Sequence, residues 1–150
     1  MKKYSFRLQS VLEIRETALE DKRLEMAKVL KLLNDYENEL KTLEEKTVNY
    51  NVELEGISNS NDYINVADIA GYNNYLVDIE QKIKNQKFLI ENTKKVLREK
   101  QSEVNEALKE VKVLEKLKET QSQKFYKAIE KKEAEEIDDI ITARYKFQTA

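Results

Sequence analysis

The chain has 150 residues, of which 37% are charged and 8% are aromatic, and its 27 basic and 29 acidic side chains leave a formal net charge of -2. It contains no proline, cysteine, histidine or tryptophan. The absence of cysteine excludes disulfides and thiolate metal sites, and the balanced charge gives no general attraction to nucleic acid or an anionic membrane. Such a composition is typical of a coiled coil rather than a compact globular domain.

The first long segment carries its apolar residues at alternating spacings of four and three, from Leu8 to Ile57. Only Arg15, Lys22 and Thr47 interrupt this series. A strict heptad predicts a helix that supercoils against a partner helix. We expect the first helix over about residues 5–56 and place its end at Gly56, where glycine is favoured as a left-handed C-terminal cap.

A polar cluster follows Gly56 and predicts a turn over about residues 57–65. The second helix is expected over about residues 66–146, with Asn65 as its N-cap. Its seam runs from Ile69 to Ala128 and is interrupted by polar residues at 86, 93 and 100. The predicted fold class is all-α, with two long helices forming an antiparallel coiled-coil hairpin as a single domain of residues 1–150.

The two predicted helices differ in length. Folding back near residue 61 pairs Leu8 with Leu114 and Leu33 with Leu89 or Ile90. Residues beyond about 117 then have no partner, which gives the second helix an overhang of about 30 residues or about 45 Å. Exposed apolar residues on an unpaired helix indicate a docking surface. The apolar residues in question are Phe125, Ile129, Ile137, Ile140, Ile141, Tyr145 and Phe147.

The residue inventory does not favour an enzyme. No glycine-rich phosphate loop or nucleophile motif is present. Glu133, Glu136 and Asp139 fall on one helical face, but Lys131 and Lys132 lie among them, and a two-helix coiled coil offers no pocket that would perturb them. We therefore interpret these carboxylates as a solvated face and expect no catalytic residues, no cofactor and no metal.

Local clusters of charge raise two further functions, nucleic-acid binding and transcript cleavage. The basic run over residues 94–100 includes Glu99 and has no aromatic platform, so no nucleic-acid binding is expected. Asp62 and Asp68 would stand near the hairpin tip, where bacterial transcript-cleavage factors carry acidic residues. Here Asp68 is expected near a helix N-terminus, and no separate globular domain accompanies the hairpin. No apolar run is long enough for membrane insertion.

Three segments resemble the flagellar FliJ family. Residues 4–16 are similar to its N-terminal stretch of aromatic, basic and leucine residues followed by an arginine-glutamate pair, and residues 72–83 to its aromatic and leucine pattern near the tip. Residues 130–144 are similar to its C-terminal charged repeat, acidic pair and arginine, although Asp139 stands where glutamate is more usual. The resemblance covers essentially the whole chain.

The resemblance implies a stalk-like coiled coil of the flagellar type III protein export apparatus. Its expected partners are the hexameric export ATPase, whose assembly or activity it would promote, the cytoplasmic part of the export gate, and export chaperones. The expected location is cytoplasmic, peripherally associated with the inner face of the cell membrane at the flagellar base. The alternative is a structural coiled-coil spacer or homodimerising adaptor with no link to an ATPase.

The end of the hairpin that holds both termini is the predicted partner-binding surface. Leu12 also suits seam packing, Phe6 could staple the helix start, and Arg144 could interact with a helix C-terminus. The predicted binding residues are Phe6, Arg7, Leu12, Arg15, Phe125, Glu130, Lys132, Glu133, Asp138, Asp139 and Arg144.

Overall fold

The structure is a computed structural model that describes residues 2–59 and 66–149. It contains two helices, α1 at Gln9–Asn59 with 51 residues and α2 at Val66–Thr149 with 84 residues. No strand occurs in the described ranges. The predicted all-α class, the two-helix hairpin and the longer second helix are confirmed.

The helix ends differ from those predicted. Residues 2–6 are not helical, so α1 begins at Gln9, where the amide of Leu12 donates to the carbonyl of Leu8 over 2.9 Å. Gly56 does not end α1, and no described glycine has a positive φ, so the predicted C-terminal cap is wrong. One glycine costs a helix interior about 1 kcal/mol. The half-buried side chains on either side of Gly56 offset this cost, because they continue the packing of α1. Residues 60–65, including the predicted cap Asn65, lie outside the described ranges.

Residues 22–104 form one compact unit, here called the central unit. Every predicted seam position from Lys22 to Ile57 and from Ile69 to Val104 is buried or half-buried in it. The two helices pair antiparallel, since residues later in α1 contact residues earlier in α2. The contacts that record this pairing are Lys22 with Glu103 at 3.4 Å, Glu25 with Lys100 at 3.1 Å, Tyr36 with Gln86 at 2.9 Å, and the rings of Tyr50 and Tyr72 at 5.8 Å.

The polar seam residues that are buried in the central unit form hydrogen bonds. Gln86 donates its side-chain amide to the carbonyl of Tyr36, and Thr93 donates its hydroxyl to the carbonyl of Leu89 over 2.8 Å. Among the described residues, no buried side-chain nitrogen or oxygen lacks a partner. Because an unpaired buried polar group costs about 1–3 kcal/mol, the seam accommodates these residues without that cost.

Residues 1–21 and 105–150 form the second compact unit, here called the terminal unit. Leu12, Leu19 and Val111 are buried in it. The amine of Lys118 donates to the side chain of Gln9 over 2.8 Å. Leu8, the neighbour of Gln9, was predicted to pair with Leu114, but it lies about one helical turn farther along α2, near Lys118.

The seam of α2 also changes phase in the terminal unit. Ser122 and Ile129 are half-buried, whereas the predicted seam residues Gln121 and Ala128 are exposed. The non-helical N-terminal segment explains the change: the hydroxyl of Tyr4 donates to Gln121 over 3.0 Å, and its ring lies 5.5 Å from that of Phe125. This segment covers α2 well past residue 117. That the whole chain folds as a single domain stays a prediction.

Candidate partner-binding surface

The uncovered part of α2 is the C-terminal segment, defined here as residues 130–148. Every residue in it is exposed, and all are helical. The segment contains no glycine or proline, and alanine at 134 and 143 together with several glutamates and lysines favours the helix. The segment thus continues α2 without a helix-breaking residue and without burial of its side chains in the described chain.

Large apolar side chains lie exposed along this segment. Ile137 and Ile140 are each 57% exposed and Phe147 is 88% exposed, and Ile141 is similarly open. Residues three and four apart meet on one helical face. Arg144 lies on the same face and helps to line a shallow open recess with Ile140 and Phe147. The face combines apolar contact area with a guanidinium group, a combination that is enriched in protein interfaces.

The segment also carries exposed charged residues. Six of them were predicted to bind a partner, and all six are exposed. In residues 2–59 and 66–149, none of the six takes part in an ion pair, whereas ion pairs do form along the rest of the two helices. The six residues are Glu130, Lys132, Glu133, Asp138, Asp139 and Arg144.

The predicted binding residues near the N-terminus have a different environment. Phe6 is 6% exposed and Leu12 is 3% exposed, so both side chains pack inside the terminal unit. Arg15 is about half exposed, and its guanidinium lies 3.0 Å from the carboxylate of Glu110. Only Arg7 is exposed with no such contact described. Phe6 and Leu12 thus support the terminal unit from within.

Phe125 lies at the edge of the covered region. It is half-buried, and its ring is 5.5 Å from Tyr4 and 5.4 Å from Tyr126. Sequence reasoning did not assign a role to Tyr4 or Tyr126. The aromatic residues near both termini were a usable signal, because aromatic rings prefer to pack against one another.

A separate aromatic cluster belongs to the central unit. The rings of Tyr50 and Tyr75 stack at 4.0 Å, and Tyr72 meets Tyr50 edge-on at 5.8 Å. The hydrogen bond with Tyr75, followed by burial, raises the pKa of Tyr50 above its ordinary value of 10.0. Such aromatic contacts contribute about 0.5–1.5 kcal/mol beyond burial, so the cluster stabilises the helix pair.

The described residues hold no group of three or more carboxylates placed to bind a metal ion. Within the same ranges, neither helix has a stretch that is both long and apolar enough to cross a membrane.

Comparison with known proteins identifies the family. The family model described as "Flagellar FliJ protein" matches residues 4–149. The chain belongs to the FliJ family. Membership confirms the resemblance seen at residues 4–16, 72–83 and 130–144, and makes the chain a coiled-coil component associated with flagellar protein export. No curated protein and no solved structure matches the chain significantly.

Proposed function

We propose that this FliJ-family protein is a stalk-like component that binds the hexameric flagellar export ATPase and promotes its assembly or activity. In this proposal it also links the ATPase to the cytoplasmic part of the export gate and to export chaperones. It would act in the cytoplasm, peripherally associated with the inner face of the cell membrane at the flagellar base, without catalysis, a cofactor or nucleic acid.

One observation carries the proposal: the C-terminal segment has large apolar side chains and charged side chains that are exposed in the described chain. A helix that presents apolar residues three and four apart is suited to lie in a groove of a partner protein. Burying a side chain such as Ile140 contributes about 1.5–3 kcal/mol, so a few of these residues suffice for specific binding.

The charged residues would set orientation rather than affinity. Asp138 and Asp139 can meet basic groups of the ATPase, and Arg144 can bind a carboxylate through two parallel hydrogen bonds. Exposed ion pairs contribute about 0–1 kcal/mol each, which suits reversible contacts with the export gate and the chaperones. Arg7 is the remaining exposed candidate in the N-terminal segment.

The test uses the full chain with serine in place of Ile137 and Ile140. Removing both apolar side chains is expected to abolish co-purification with the export ATPase and its stimulated ATP hydrolysis, while circular dichroism stays that of a helical protein. The matched control places serine at Val48 and Val52, which are exposed to a similar extent, 60% and 62%, on α1 of the central unit. This control should keep both activities.

Undiminished binding and stimulation by the Ile137 and Ile140 variant would reject the C-terminal segment as the ATPase-binding surface. An equal loss in the Val48 and Val52 variant would show that the effect is not specific to this segment. Export chaperones and the cytoplasmic part of the gate can be tested by co-purification with the same pair of variants.

A further inference from the structure

The exposed face of the last part of α2 carries a heptad of its own. Its residues follow one another at alternating spacings of four and three, and all are exposed. They are distinct from the residues that pack inside the terminal unit, among them Ser122, Phe125 and Ile129. The members of this exposed seam are Tyr126, Glu130, Glu133, Ile137, Ile140, Arg144 and Phe147.

The central part of this seam is symmetric in spacing, and its two outer residues have opposite charges. Ile137 and Ile140 stand at its middle, and Glu133 and Arg144 each lie four residues outside one isoleucine. When two antiparallel helices pair, core positions of one helix form layers with core positions of the other. Pairing centred between residues 138 and 139 then places Ile137 against Ile140 of a second copy, and Glu133 against Arg144 of that copy.

We propose that this exposed seam pairs antiparallel with the same seam of a second copy of the chain. The interface is isologous, since a two-fold axis relates its halves and each contact occurs twice. It has two isoleucine layers in the middle and one glutamate-arginine layer on each side. Arg144 can hold the carboxylate of Glu133 through a bidentate pair, which fixes the register.

The positions beside the seam agree with this arrangement. On one side, Ile141 meets Ala134 of the second copy, so a large side chain packs over a small one. On the other side, Glu136 lies beside Ala143 of the second copy, and no two like charges face each other. All four residues are exposed in the described chain and therefore available for these contacts.

Parallel pairing in register is disfavoured by the same residues. It would place Glu130 against Glu130, Glu133 against Glu133, and Arg144 against Arg144 of the second copy. Like charges juxtaposed across an interface destabilise it, and parallel pairing has three such layers beside its apolar layers of Tyr126, Ile137, Ile140 and Phe147. Antiparallel pairing has none: its outermost layers set Glu130 against Phe147 of the second copy. The charge pattern thus selects the antiparallel orientation.

The interface is short. Pairing about this centre joins residues 130–147 of the two copies, a helix length of about 27 Å, and two helices of this length bury an area at the low end of the range for specific interfaces. We expect a concentration-dependent dimer rather than a permanent one. Pairing covers Ile137, Ile140 and Arg144, which also lie on the proposed ATPase-binding surface, so self-pairing and ATPase binding exclude each other.

The test measures the mass of the full chain alone by analytical ultracentrifugation over a concentration series. The wild-type chain is expected to pass from monomer to dimer. Glu133→Arg brings arginines together in both charged layers, and Arg144→Glu brings glutamates together, so each should lower the association constant at least about tenfold. Circular dichroism checks that each variant remains helical.

Two recombinations give the decisive result. The double variant E133R/R144E restores opposite charges in both layers and should dimerise as the wild type does. An equimolar mixture of the two single variants should dimerise as well, because every layer then joins glutamate to arginine. Glu135→Arg is the matched control, since residue 135 lies on the opposite side of the helix and should leave dimerisation unchanged.

The proposal is overturned if the wild-type chain stays monomeric throughout, or if either single variant dimerises like the wild type. It is also overturned if the helical double variant remains monomeric. The export ATPase is absent from these measurements, so failure here leaves the proposed function standing. Conversely, a chain that dimerises as described but never binds the ATPase rejects only the proposed function.

Discussion

The central unit and the C-terminal segment use the same heptad spacing with opposite results. In the central unit the spacing predicts which side chains are buried, from Lys22 to Val104. In the C-terminal segment, Ile137 and Ile140 follow the same spacing in a separate register and are exposed. A heptad therefore indicates that a helix face needs a partner, but it does not say whether the partner lies in the same chain.

Charged residues on the two seams differ in the same way. Lys100 of the central unit lies 3.1 Å from Glu25 and 3.5 Å from Glu103. Glu133 and Arg144 of the C-terminal segment form no ion pair in the part of the chain that the structure describes. The charged groups of the central seam thus pair within the chain. The carboxylate and guanidinium groups of the exposed seam are available to pair with another molecule.

The largest expected effect on stability comes from replacing a buried isoleucine by alanine, compared with the same replacement at an exposed isoleucine. Ile79→Ala in the central unit removes a side chain that is 2% exposed and should lower the free energy of unfolding by about 2–5 kcal/mol. Ile140→Ala, at 57% exposure, should change it by less than about 0.5 kcal/mol. Urea unfolding followed by circular dichroism in dilute solution measures both. Equal costs at the two sites would remove the distinction between the regions.

Two phenylalanines test the boundary of the covered region. Phe6 is 6% exposed and Phe147 is 88% exposed. Phe6→Ala should lower the free energy of unfolding by about 3 kcal/mol, at the low end for a buried phenylalanine because the non-helical segment around it can relax. It should also speed amide hydrogen exchange over residues 118–129. Phe147→Ala should affect neither measurement, and unchanged exchange in the Phe6 variant would show that the N-terminal segment does not protect α2.

The helix class and most of the seam could be predicted because they depend on local spacing. Ile79, Gln86 and Thr93 were all placed on the seam from sequence, including the two polar residues. The end of α1 could not be placed, because Gly56 carries only a small helix penalty and the decision depends on packing around it. Cap residues indicate where a helix can end, whereas tertiary contacts determine where it does end.

The residues predicted to bind a partner differ in exposure, which the sequence alone could not show. Glu133 and Arg144 are exposed as a binding role requires, whereas Phe6 and Leu12 pack inside the terminal unit. The contacts of Tyr4 with α2 could not be predicted, because the sequence placed the start of the first helix near residue 5. Heptad spacing predicts contacts between helices and gives no prediction for a non-helical segment that lies against α2. That segment shifts the covered seam and moves the uncovered region to residue 130 and beyond.

The ion pair between Glu25 and Lys100 should make the stability of the chain depend on pH in acid. The hydrogen bond and charge of Lys100 hold the pKa of Glu25 below its ordinary value of 4.5, and Glu25 in turn raises the pKa of Lys100 above 10.5. A lowered carboxyl pKa means that the folded state favours the ionised form, so its contribution is present above pH 4.5 and is lost as the pH falls through the folded value.

Glu25→Gln is therefore expected to be less stable than the wild type near neutral pH, with a difference that shrinks as the pH falls below 4.5. Urea midpoints of both proteins across this range measure the difference. Glu135→Gln, at an exposed carboxylate on the side of α2 opposite the proposed seam, is the matched control and should leave the midpoint close to that of the wild type. A difference for Glu25→Gln that stays constant or grows in acid would contradict the assigned role of Lys100.

The smallest expected effect concerns an exposed ion pair within one helix. The amine of Lys82 lies 3.4 Å from the carboxylate of Asp78, and both side chains are more than half exposed. Lys82→Gln should lower the free energy of unfolding by about 0.3–0.5 kcal/mol, as for other pairs at this helical spacing. Lys132→Gln in the C-terminal segment removes a charge with no ion-pair partner in the described ranges and should change it less. A cost above about 1 kcal/mol for Lys82→Gln would mean that surface ion pairs contribute substantially to the stability of the central unit. A small cost would assign the difference in stability between the two regions to apolar burial, which is present in the central unit and lacking at residues 130–148 of the described chain.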